Sequence, residues 1–171
     1  QKLMSDGLAA FHRNDYKFAR ARLLQAKSLK PGSHEVSNAL SQVDQAIRLS
    51  GIDKLRRAAQ AAERSEDWQG ALASYLAVLD IDKNLQFAVR GKERALEQIR
   101  IAKRIDFYLA KPQVLESDSQ LKNAVLLLVE AKEVNPRGPM LTAGIKKLEQ
   151  LVEIAQTPVK IAIESDNLTR V

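Results

Sequence analysis

Residues 14–26 read NDYKFARARLLQA, and two stretches further along align with them without gaps: EDWQGALASYLAV at 66–78 and SQLKNAVLLLVEA at 119–131. Ala19, Ala71 and Ala124 correspond, then Leu23, Tyr75 and Leu128, then Ala26, Val78 and Ala131, with offsets of 52 and 53 residues. Steps of four and then three residues lay one apolar stripe along a helix. A small residue at the head of the stripe lets another helix backbone come close. Asp15, Asp67 and Asp118 stand near the start of these helices, where a short acidic side chain caps free N–H groups. Self-similarity at a long fixed period is the mark of a repeat architecture.

The flanks are helical too. Ser33 to Leu49 and Leu85 to Arg104 both have helix-forming composition, and each runs towards the next unit. Ser50-Gly51 is the one plausible break in the first. Since Gly inside a helix costs only about 1 kcal/mol, long helices of about 25 to 30 residues are expected over 34–64 and 85–111. The whole composition agrees: of 171 residues 45% are apolar and only 5% aromatic, with seven Gly, five Pro and no Cys. That is enough chain for a continuous core and too apolar for disorder. The missing cysteines exclude disulfides, thiolate metal sites and Cys nucleophiles together.

The three stretches resemble the second helix of a tetratricopeptide repeat (TPR). The first unit has Leu3, Gly7, Ala10, Tyr16, Ala19, Leu23, Ala26 and Pro31 at the motif positions. The second has Leu55, Ala59, Ala62, Trp68, Ala71 and Tyr75, with Lys83 in place of the closing Pro. The third retains Ala124, Leu128, Ala131 and Pro136, but Pro112 falls where Gly7 and Ala59 would align, and Gln113-Val114-Leu115 reads as a loop. Ordinary members recur every 34 residues, so each unit here carries about eighteen extra. The resemblance implies an all-α, right-handed α-solenoid of antiparallel helices over residues 1–156.

No catalytic constellation can be assembled. The glycines are isolated, and His12 and His34 are the only histidines, so no His pair at metal-binding spacing exists. Asp80-Ile81-Asp82-Lys83-Asn84 opens like a calcium loop, but Leu85 stands where the turn needs Gly, and Gly91 where it needs Glu. It reads better as a helix end. Glu63, Glu66 and Asp67 cluster without the apolar surroundings that raise a carboxyl pKa. No enzyme activity, metal or cofactor is expected.

Charge is the remaining signal. Lys and Arg number 27 against 21 acids, a net +6. Residues 1–50 and 51–111 hold all the excess, while 112–171 are slightly acidic. Arg56, Arg57, Gln60 and Arg64 lie on the first helix of the second unit, and Arg90 and Arg94 on the helix that follows it. In the family resembled, first-helix positions line the concave groove that receives peptides, so by that resemblance the first four are the best ligand-facing candidates. Arg90 and Arg94, with Arg100, Lys103 and Arg104, form a second set on the following helix, and Arg90 and Arg94 complete the six candidate partner-binding residues. The plainer alternative is a solvated face of ordinary ion pairs. The carboxylate clamp of some chaperone-binding members does not carry over, because Met4, Leu8 and Phe11 occupy its positions. Nucleic acid is not expected, since no aromatics interleave with the cations.

A non-catalytic protein-interaction scaffold is therefore expected, with a partner peptide or helix, acidic in character, on the repeat surface. The alternative is a structural spacer or dimerisation module. Leu126, Leu127, Leu128 and Val129 cannot all face one core, which keeps a homodimer open. The longest apolar run, Ala124–Val129, is too short to span a bilayer. The chain opens on Gln1 without a charged-then-apolar leader. After Pro158, Val159-Lys160-Ile161-Ala162-Ile163-Glu164 alternates like a strand and Ser165-Asp166-Asn167 like a turn. Residues 157–171 are thus expected to be a linker and the first strands of a following β-domain, cut short at Val171. They resemble the start of a PEGA-type domain. By that resemblance the chain is the repeat portion of a bacterial envelope protein, anchored in the inner membrane and exposed to the periplasm.

Overall fold

The computed structural model describes residues 1–134 and 138–157. They form seven α-helices: α1 (Lys2–His12), α2 (Tyr16–Leu29), α3 (His34–Arg64), α4 (Trp68–Ile81), α5 (Gln86–Ala110), α6 (Asp118–Glu133) and α7 (Pro139–Gln156). A 3-10 turn at Pro112–Glu116 joins α5 to α6. No strand occurs among the described residues. The strands expected after Pro158, and the closing Pro136, lie outside them.

The expected long helices are present: α3 is continuous over 31 residues and α5 over 25. α3 takes in the extra residues of the first unit and the first helix of the second, whereas α5 takes in those of the second unit and ends at Ala110, so that the 3-10 turn occupies most of the third unit's first-helix positions. The offsets of 52 and 53 residues also continue beyond the aligned stretches. Val36, Ala88 and Leu141 correspond, as do Val43, Ala95 and Leu148, and all six are buried. The periodic unit is thus three helical segments, and in α3 the third of the first unit is fused end to end with the first of the second.

Local chemistry explains the breaks. Asp15 accepts a hydrogen bond from Phe18 N at 3.1 Å, and Asp67 from Gly70 N at 2.9 Å, so both are N-caps. The residue before each cap, Asn14 (φ 62°) and Glu66 (φ 56°), takes the left-handed conformation that makes the turn tight. The third unit differs. Ser117 is its cap position, and Asp118 is the first helical residue, where its charge meets the helix dipole instead. Pro112 starts the 3-10 turn because it has no N–H to lose at a helix start. The stretch expected as a loop there is regular, and Leu115 is buried by it.

The chain divides into two compact units, Gln1–Glu93 and Arg94 onwards. The first holds two apolar clusters. One gathers Ala10, Ala19, Leu23, Ala26, Val36, Ala39, Leu40 and Val43 from α1, α2 and the first half of α3. The other gathers Ala59, Ala71, Tyr75, Val78 and Ala88 from the second half of α3, α4 and the start of α5. The second unit has one core, running from Ile101 and Ile105 through Leu127 and Leu128 to Leu148 and Val152. Every residue of the aligned triplets in residues 14–131 is buried.

Candidate partner-binding face

Met4, Leu8 and Phe11 follow one another at steps of four and three along α1. All three are half-buried, packed at their bases on the first cluster with their outer parts open to solvent. Arg56, Gln60 and Glu63 hold the equivalent positions one repeat later, on the second half of α3. Arg57 and Arg64 lie beside them, at steps of three and four about Gln60, so they share its side of the helix. Arg56, Arg57, Gln60 and Arg64 are all exposed. The four candidate residues of α3 are therefore brought together on two turns of one helix.

Their surroundings differ. The Arg56 guanidinium lies 5.1 Å from the centre of the Phe87 ring, on the first turn of α5. That cation–π contact holds the side chain against the helix pair. Arg57 pairs with Asp53 one turn back at 2.6 Å, both ends well exposed. Such a pair contributes only a few tenths of a kcal/mol, so a carboxylate from outside competes readily with Asp53. Arg64, in the last turn, complements the helix C-terminus. Arg90 is exposed on α5, one turn beyond Phe87. Arg94 is half-buried on the same helix, one turn after Arg90, and is the first residue of the second compact unit.

The Asp53–Arg57 spacing is plain in the sequence; the Phe87 contact is not, because it joins residues 31 apart through packing of two helices. The further cations, Arg100 and Arg104, are drawn into structure. Both reach Glu130 on α6, one to each carboxylate oxygen, at 2.5 Å. The Arg100 hydrogen bond above all, then that of Arg104, lowers the Glu130 pKa below its ordinary 4.5 against the opposing effect of burial.

The acidic residues are similarly used. Glu63 accepts a hydrogen bond from the Tyr75 hydroxyl at 3.0 Å, and Asp67 caps α4. Asp82 follows the end of α4, accepting from Asn84 N at 3.0 Å and pairing with Arg48 at 2.7 Å. The calcium-like spacing thus falls on a helix end. His12 and His34 are exposed at helix termini. Among the described residues no group of three His, Asp or Glu side chains is placed to hold a metal ion. No helix among them is long and apolar enough to cross a membrane. No family model, curated protein or solved structure matches the chain.

Proposed function

We propose that the chain is a non-catalytic protein-interaction scaffold of TPR-like, solenoidal design, which receives an acidic partner segment on its first-helix face. The observation that carries this is the change of character at one repeat position. Met4, Leu8 and Phe11 offer apolar anchors in the first unit, and Arg56, Arg57, Gln60 and Arg64 offer donors in the second. A segment with apolar residues at one end and carboxylates at the other matches that order. Apolar contact supplies the affinity, and the arginines supply orientation and rate of encounter.

Selection of displayed random peptides on the intact chain tests it. Selected sequences are expected to combine apolar residues with Asp or Glu. Arg57→Glu with Arg64→Glu is expected to weaken them about tenfold or more, and added salt to do so progressively. Lys146→Glu, on α7, is the control and is expected to change nothing. Binders indifferent to both arginine changes would exclude this face.

The spacer or dimerisation alternative rests on Leu126, 64% exposed, and Val129, 52% exposed, on α6. Sedimentation equilibrium at high concentration decides it, since a monomer throughout removes the dimer.

A further inference from the structure

On α2 and α3 a shallow groove of about 370 Å³ is lined by Lys17, Arg20, Ala21, Leu24 and Ile47. A second groove, of about 570 Å³, is lined by Asp118, Leu121, Lys122, Val125, Leu126 and Gln156, on α6 and the end of α7. The two are the same place in the repeat: Lys17, Arg20 and Ala21 align with Lys122, Val125 and Leu126 through the combined offsets. Between them in the period, Leu24, Leu76 and Val129 align and are 43%, 46% and 52% exposed. Each of these stands one residue after a buried core position, turned away from the core. One exposed aliphatic side chain per second helix, always at the same position, is a patterned surface rather than scattered apolar exposure.

Charge selects the occupant. In the first groove Arg20 is held by Asp44 at 2.6 Å, and Lys17, in its lining, is in no ion pair among the described residues. Lys122, its counterpart, is likewise in none, while Asp118 sits at the N-terminus of α6, where the helix dipole offsets its charge. An amphipathic helix presenting leucines to the floor and carboxylates to the lysines meets both features.

We propose that each of these two grooves, taken by itself, is a docking site for an acidic amphipathic helix of a partner protein. Both are distinct from the first-helix face and stand whether or not that face binds. The probe is a synthetic helical peptide with Leu at every third and fourth position and Glu on the flanks; the same peptide with Lys for Glu is the control. Fluorescence anisotropy on the intact chain reads the binding. The Glu peptide is expected to bind, the Lys peptide to bind about tenfold or more weakly, and Leu24→Asp with Leu126→Asp to abolish most of the affinity. Both leucines are exposed, so circular dichroism of the variant is expected to match the parent. These readings are taken in the Arg57→Glu, Arg64→Glu background, so that the first-helix face does not take the same peptide, and the groove binding is expected to persist there. Equal binding of the two peptides, or binding untouched by the leucine changes, overturns the proposal. So does self-association that the leucine changes abolish and the Glu peptide fails to compete, which would make the occupant a second copy.

Discussion

At the scale of single residues, the crossings are tuned by paired volumes. A Cβ added to Gly91 would lie 2.3 Å from the Tyr75 ring, and one added to Gly7 would lie 2.8 Å from Leu23. Tyr75 and Leu23 hold the same repeat position, yet the glycine that makes room comes from the third segment in one case and the first in the other. The Tyr75 ring is buried and its hydroxyl bonded to Glu63, so it has nowhere to swing. Gly91→Ala is therefore expected to destabilise by about 1–3 kcal/mol in urea titrations, outweighing its gain in helix propensity. Introduced together with Tyr75→Leu, which restores the side chain of the first repeat, the same change is expected to cost clearly less. An equal cost in both backgrounds would show that the ring is not the obstacle.

Glu130 supplies a pH dependence. Its folded-state pKa is lowered chiefly by the Arg100 hydrogen bond. Its contribution to stability is accordingly complete above the unfolded value near 4.5 and is lost as pH falls through the lower folded value. Glu130→Gln is expected to lower the urea midpoint at neutral pH and to flatten its decline below that range. A parallel decline in parent and variant would contradict this.

At the scale of the element, α3 shows where helix propensity acts without packing. Its buried residues are Val36, Ala39, Leu40, Val43 and Ala59, so the stretch between Val43 and Ala59 holds no fully buried side chain. That stretch is carried by good helix formers and by clusters at both ends. Gly51 lies within it, and a Cβ there would meet nothing within 4 Å. Gly51→Ala is expected to stabilise by about 1 kcal/mol, read from chemical denaturation; a loss would mean that the glycine serves a bend. The length of α3 was legible because no proline and no turn cluster interrupts residues 34–64. The cap of α6 was not, because Ser117 and Asp118 are both good N-terminal residues and the 3-10 turn before them decides which takes the position.

At the scale of the whole molecule, the division into two compact units predicts how damage spreads. Leu127 is fully buried in the core of the second unit. Leu127→Ala is expected to remove about 2–5 kcal/mol and to speed amide exchange first in α6 and α7, leaving α1 to α4 near their parental rates. Uniform acceleration would mean that the chain opens as one cooperative body.

The alignment of three stretches by itself determined the helices, their buried stripes and the long period. Those follow from local spacing, because a helix repeats every few residues and shows its core face in the order of its letters. It also marked the arginines of α3 and their shared side. Tertiary packing alone decided what those residues do. It set Arg56 on Phe87, gave Arg100 and Arg104 to Glu130 and left Leu24 and Leu126 in open grooves. The physical reason is one of range: helix periodicity is written within a few residues, whereas a partner 26 or 31 residues away is chosen by how helices cross.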